Sequence, residues 1–355
     1  MPYTASLFLL CLAVSTVVGF PLRQALDHFR ILDQPNQRSS HTAPTARGGG
    51  IGILAAITAG AAWMSVRSLD PLVWITLAVA FGVAVVSLID DVRGLSAAVR
   101  FGTHLVAGVV LLASGGFWEG AGLRAVSEAL PGVPPRLLLP ILLLVIVGYT
   151  NAFNFMDGIN GIAGMQAGIT AMATGIIGGM GGHWTEPAVL LSFAVSAASF
   201  GFLPHNFPRA RMFMGDVGSA PLGMLLAFLA LWVCRDRGFH LAIPLAVLHA
   251  NFVLDTVITL TRRILRGDNW LQPHREHFYQ RLIRAGKSHP FVTGVECLLL
   301  VACSIAAILT AREGLAARMF SSGVILLVWL GFFVYAERVF KRSNAKAAAP
   351  AVLAS

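Results

Sequence analysis

The chain has 355 residues, 56% of them hydrophobic and only 12% charged, with a mean hydropathy of +0.73. A soluble domain has about a quarter of its residues charged, so the composition excludes a water-soluble globule and points to an all-α polytopic membrane protein. The net charge of +9 needs no nucleic-acid partner; it fits an anionic inner leaflet of the lipid bilayer and an anionic substrate.

The first apolar run extends from Tyr3 to about Pro21, with no Lys or Arg before it and no small-residue cleavage site, and reads as a span rather than a cleaved signal peptide. A polar loop follows over Arg23–Arg47. Further apolar runs are centred on Gly50–Val66, Pro71–Ile89, Phe101–Trp118, Arg136–Phe153, Ile162–Gly181, Pro187–Leu203, Val217–Val233, Phe239–Thr261, Pro290–Ala311 and Met319–Ala336. Eleven spans are thus predicted, each near the ~20 residues that a bilayer crossing needs. The expected organisation is one transmembrane domain over residues 1–340 and a disordered cytoplasmic tail over 341–355. Cys11, Cys234, Cys297 and Cys303 lie in apolar runs without metal-ligand spacing and read as packing residues.

An odd number of spans puts the termini on opposite sides. One side receives Arg67, Arg124, Arg136, Arg235, Arg237, Arg312 and Arg318, and the other receives the rest of the 26 Lys and Arg residues. Basic loops stay in the cytoplasm, which predicts an outward, periplasmic N-terminus and a cytoplasmic C-terminus.

The polar clusters fall on the basic side: DQPNQRSSHTAPTARGGG at 33–50, DDVRG at 90–94, NAFNFMDGING at 151–161, HNFPRARMFMGDVGS at 205–219 and QPHREHFYQRLIRAG at 272–286. Asn151, Asn154, Asp157 and Asn160 recur every three residues, which on a helix places them roughly on one face. A capped helix end explains one such residue, not four. The pair Asp90–Asp91, then Asp157 and Asp216, each stand at the end of a different run, and hard oxygen ligands of this kind suit Mg²⁺ or Mn²⁺. Arg38, Arg47, Arg100, Arg275, Arg281 and Arg284 are candidates to clamp phosphate, although membrane-surface arginines need no ligand. His274 and His277 are candidate phosphate ligands or general acids in a loop that also reads as an amphipathic interfacial helix. Phe213 is a candidate ring for stacking on a flat base. Asp255 reads as a structural partner of Arg262 or Arg263.

Taken in order, Asp90–Asp91, Asn151-xx-Asn154-xx-Asp157-Gly, Phe213-Met-Gly-Asp216-Val-Gly-Ser219 and the His274-Arg-Glu-His277 loop resemble the polyprenyl-phosphate N-acetylhexosamine-1-phosphate transferase family, glycosyltransferase family 4. The resemblance runs from about residue 30 to 290. The 33–50 stretch looks like bacterial members that start O-antigen or teichoic-acid lipid-linked sugars. The resemblance implies transfer of a sugar-1-phosphate from a UDP-sugar to undecaprenyl phosphate, with Mg²⁺ and release of UMP. It implies that Asp216 binds the metal with Asn154 beside it, and that Asp90, partnered by Asp91, is the candidate base on the lipid phosphate. Phe213 would stack on uracil, Asn160 and Asn206 would meet the uridine, and Arg100 would hold phosphate. His274, Arg275 and His277 would face the pyrophosphate, with Asn151 and Asp157 completing the site. Two departures stand out: DGING replaces the common DGxDG, and the three consecutive histidines of the UDP-MurNAc-pentapeptide enzyme are absent. The rival readings are that peptidoglycan transferase and, from another class, a secondary transporter, which would place polar residues at mid-bilayer. The sequence leaves the hexosamine open, and a homodimer with it.

Overall fold

Inside hydrocarbon a backbone has only itself as a hydrogen-bonding partner, so apolar runs bounded by Pro, Ser and Gly become helices. The computed structural model describes residues 2–35, 43–129, 133–269, 272 and 274–352. Helix α1 (Pro2–His28) leads to short strands β1 (Leu32–Asp33) and β2 (Thr45–Arg47). Then come α2 (Gly50–Ser65), α3 (Pro71–Arg93), α4 (Ala97–Ser114), α5 (Ala121–Ala129), α6 (Pro135–Met156), α7 (Ile162–Gly179) and α8 (Pro187–Asn206). Strand β3 (Met212–Phe213) precedes α9 (Asp216–Arg237), followed by α10 (Ala242–Ala246), α11 (Ala250–Leu265), α12 (Phe278–Arg284), α13 (His289–Thr310) and α14 (Leu315–Val352). Side-chain caps define several starts: Asp70 accepts the Leu72 N–H, Ser96 that of Val99 and Ser288 that of Phe291.

All eleven predicted runs are helical, but among the described residues ten segments are long and apolar enough to cross a membrane. The exception is α2, whose 16 residues span only about 24 Å at 1.5 Å per residue, less than the ~30 Å hydrocarbon core. At the other end of the chain, α14 continues as helix to Val352, through much of the stretch expected to be an unstructured tail; its Ala-rich end has high helix propensity.

The bundle is organised around α9. It is 94% buried in its apolar window and packs against α2, α3, α6, α7 and α8. Its first turn meets the first turn of α2 backbone to backbone: a Cβ on Gly50 would lie 2.1 Å from Gly218 Cα, and one on Gly218 would lie 2.6 Å from Gly50 Cα. Only glycine permits that approach. The N–H groups of Gly48 and Gly49 donate to Phe213 O, and that of Gly50 to Met214 O. The same region forms a small sheet in which β2 pairs antiparallel with β1 and parallel with β3. The fold is all-α, as expected, apart from this small sheet, which sets Arg47 beside the start of α9. The ends of α1, α2, α3, α6, α9 and α11 that carry the polar clusters gather at this one end of the bundle, through contacts set out below.

Gly218→Ala is expected to destabilise the protein by about 1–3 kcal/mol, the usual cost of overpacking, read as a lower thermal midpoint in detergent. Gly82→Ala, with open space around the new methyl, is expected to leave the midpoint unchanged or slightly raised.

Candidate active site

Charges at a membrane surface persist only where partners offset their desolvation. Arg47 supplies such a partner, its Nη2 lying 2.7 Å from Asp91 Oδ1 and 2.7 Å from Asp216 Oδ1. The Asp91 side chain is 4% exposed and that of Asp216 24%. Asp91 Oδ2 is buried with no hydrogen-bond partner among the described residues. Burial opposes the Arg47 charge, but Asp216 and Asp91 more than compensate and hold its pKa above the ordinary value. Asp157, at the C-cap of α6, belongs to the same charge cluster: burial, then the Asp216 charge, push its carboxyl up to about 7 against the pull of Arg47. Asp90 turns the other way. It accepts the Leu95 N–H at 2.5 Å and Arg100 Nη1 at 3.0 Å. It is therefore Asp91, not Asp90, that shares Arg47 with Asp216.

The four polar residues spaced by three do not share one helix face. Helix α6 stops at Met156 and Gly161 adopts φ +81, a conformation suited to glycine, so only Asn151 and Asn154 remain on the helix. The Asn151 amide donates to Val147 O at 2.7 Å, and Asn154 Nδ2 donates to Ser219 Oγ at 2.9 Å. Asn160 Nδ2 donates to Pro208 O at 3.1 Å. Asn206 is 6% exposed, accepting the Gly161 N–H at 2.6 Å and donating to Met212 O at 3.0 Å. Both ends of that amide are used to pin the 158–161 turn to β3, so Asn206 shapes this region instead of offering a free group to uridine. Phe213 lies on β3, half-buried, its carbonyl taken by Gly48 and Gly49.

The His loop folds back onto the bundle. His277 is buried, with Nδ1 2.8 Å from Asp255 Oδ1. The rings of His274 and His277 lie 4.9 Å apart. Asp255 thus pairs with His277 and not with Arg262 or Arg263: Arg262 meets Glu337 at 3.1 Å and Arg263 meets Glu276 at 2.7 Å. Arg281 meets Glu337 at 2.6 Å and Arg284 donates to the Arg275 carbonyl, which makes both structural in place of phosphate clamps. Arg38 lies outside the described residues.

One cavity of about 1900 Å³ joins these parts. Asp90, Arg100, Asn151, Asn154, Asp216, His274 and His277 line it, with Arg47; Asp91, Asp157, Asn160, Asn206, Phe213 and Arg275 do not. Its apolar wall follows α6 from Phe155 to Pro140, roughly 22 Å of helix at 1.5 Å per residue. A charged mouth therefore opens onto an apolar-walled space that runs along most of the ~30 Å depth of a hydrocarbon core.

The glycosyl transferase family 4 model matches residues 73–234. The chain is 31% identical over 308 residues to a decaprenyl-phosphate N-acetylglucosaminephosphotransferase of Mycobacterium tuberculosis (strain CDC 1551 / Oshkosh), covering 76% of this chain and 73% of the relative. The chain belongs to the polyprenyl-phosphate N-acetylglucosamine-1-phosphate transferase family. A probable undecaprenyl-phosphate N-acetylglucosaminyl 1-phosphate transferase of Bacillus subtilis (strain 168) is 32% identical over 285 residues, 78% of this chain and 76% of the relative. A phospho-N-acetylmuramoyl-pentapeptide-transferase of Synechococcus sp. (strain JA-2-3B'a(2-13)) is 42% identical over 138 residues, covering 38% of each chain. The protein is thus a multi-pass membrane transferase.

Sequence reasoning assigned no role to Ser219, which holds Asn154, or to Gln272 and Gln280, which line the cavity. Ser219 closes the Phe213–Ser219 motif, and its hydroxyl is the available signal; the glutamines carry none. Burial, then His277 and Arg263, lower the His274 pKa from its ordinary 6.5 to about 4, against Glu276 and Asp255. The unfolded chain therefore takes up this proton first as pH falls. Stability from a neutral His274 is full above about pH 6.5 and is lost towards pH 4. The thermal midpoint of the transferase should fall across that window, and His274→Gln should flatten the fall.

Proposed function

We propose that this transferase moves an N-acetylhexosamine-1-phosphate from a UDP-sugar to undecaprenyl phosphate, releasing UMP and initiating an O-antigen type lipid-linked polysaccharide. The names of the Mycobacterium and Bacillus relatives support the reaction. The observation that carries it is the single cavity, because one substrate is water-soluble, the other is a lipid, and both bear phosphate. The basic loops at the charged mouth support a cytoplasmic face of the inner membrane.

The chemistry is a displacement at phosphorus. An oxygen of the lipid phosphate attacks the sugar-bearing phosphorus of the donor, the bond to the uridine-bearing phosphate breaks, and UMP leaves with the electron pair. The protein's task is positioning and charge balance. The apolar wall takes the prenyl chain and delivers its phosphate to the mouth, where Asp90 and Arg100 stand. Arg100 would supply positive charge to phosphate oxygens, and Asp90 would act as the base on the acceptor. Asp157 can hold a proton close to Asp216.

The oxygen donors fit a hard divalent cation. Among the described residues no three His, Cys, Asp or Glu side chains form a ready ligand set, but Mg²⁺ usually takes one or two carboxylates, with substrate phosphates and waters for the remainder. Asp216 and the Oδ1 of Asn154, both on the cavity lining, would hold it. Bound there, Mg²⁺ or Mn²⁺ would neutralise pyrophosphate charge. Phe213 and Asn160, outside the cavity on the same end of the bundle, remain for the uridine.

Asp216→Asn is expected to lower metal-dependent UMP release by about 100-fold or more, the effect of losing several kcal/mol of charge stabilisation, with the thermal midpoint retained. Full activity in that variant would remove the metal assignment. Asp90→Asn should lower kcat while leaving the donor KM within about threefold; a change confined to KM would remove the base role. A donor panel of UDP-GlcNAc, UDP-GalNAc, UDP-QuiNAc, UDP-FucNAc and UDP-MurNAc-pentapeptide, with undecaprenyl phosphate and Mg²⁺, tests the substrate class. Turnover of the pentapeptide donor alone would favour the function named for the Synechococcus relative, and solute uptake without UMP would favour a transporter.

A further inference from the structure

Asp255 is a carboxylate 1% exposed within a membrane-spanning segment. Such a group is costly unless its surroundings are built for it. The two arginines on its own helix, Arg262 and Arg263, are taken by Glu337 and Glu276. Three other donors surround it: Oδ1 takes the Thr259 hydroxyl at 3.1 Å and faces His277 Nδ1 at 2.8 Å, while Oδ2 takes the Phe278 N–H at 2.9 Å. A carboxylate ringed by donors acts as an acceptor only, so His277 Nδ1 carries the proton of this contact. The ring packs against Tyr279, centroids 5.9 Å apart and nearly parallel, and against His274. His277 is thus fixed in orientation as well as tautomer, and its side chain lines the cavity mouth.

Resting on the function proposed above, we infer that Asp255 is a positioning residue: it holds Nδ1 of His277 protonated so that Nε2 is the nitrogen presented to the phosphates. A purely structural role, in which Asp255 only ties the 272–278 loop to α11, uses the same contacts. The two differ in one substitution. In Asp255→Asn, the amide oxygen can still accept from Phe278, and the amide nitrogen can donate to His277 Nδ1 and to the Thr259 hydroxyl. The anchor survives, but Nδ1 becomes an acceptor and the proton moves to Nε2. Similar loss of the correct tautomer, and of general acid–base function, costs on the order of 10²–10⁴-fold in turnover.

The experiment pairs turnover with ¹⁵N-histidine NMR on the full-length transferase in detergent micelles, with His277→Gln assigning the His277 signal. Wild-type His277 should be protonated at Nδ1. Asp255→Asn should keep the wild-type thermal midpoint, move that proton to Nε2, and lower kcat by about 100-fold or more with the donor KM within about threefold. Asp255→Ala should lower both the midpoint and kcat. Wild-type turnover in Asp255→Asn, an Nε2-protonated His277 in the wild type, or loss of activity with the tautomer unchanged would each overturn the inference. If Asp255→Asn does not fold, the wild-type tautomer decides. Absence of UMP formation by the wild type with every donor would overturn the proposed reaction instead, and the NMR result would stand apart from it.

Discussion

The contact on which the site depends is the guanidinium of Arg47 held between Asp91 and Asp216. Three charges drawn from β2, α3 and α9 meet at the rim of a membrane bundle, and none would be stable there alone. Buried ion clusters add little net stability compared with apolar packing, so their retention needs a reason other than folding. In the reaction proposed above, that reason is an anionic substrate: the cluster would set oxygen ligands and positive charge where two phosphates of like charge must be brought together.

Everything around the cluster serves its placement. The glycine contact between α2 and α9 brings β2 alongside β3, and this pairing carries Arg47 to Asp216. Asn206 uses both ends of its amide to join the 158–161 turn to β3. Asn154 is oriented by Ser219 from α9. Side chains that touch no substrate thus decide where those that do will stand.

The cavity solves a problem of solubility. A polyprenyl chain gains nothing by leaving the bilayer, and a nucleotide gains nothing by entering it. In the proposed reaction, a space with an apolar wall along α6 and a charged mouth would let each remain in its own solvent while their phosphates meet. The buried pair Asp255–His277 and the partly buried pair Arg263–Glu276 keep the loop at that mouth folded onto the bundle.

Composition and hydropathy alone determined the fold class, the eleven helical runs and the gathering of polar clusters at one end, because a bilayer imposes a single solution on an apolar backbone. They also marked Asp216, Asn154, Asp90 and His277, since polar groups in apolar surroundings are conspicuous. What only the tertiary structure decided were the pairings. Asp91 rather than Asp90 shares Arg47 with Asp216, Asp255 holds His277 rather than an arginine, and Asn206 is spent on the backbone. The physical reason is that these contacts join residues far apart along the chain. Their partners are chosen by helix packing and by a glycine-permitted backbone approach, which leave no periodic trace in the sequence.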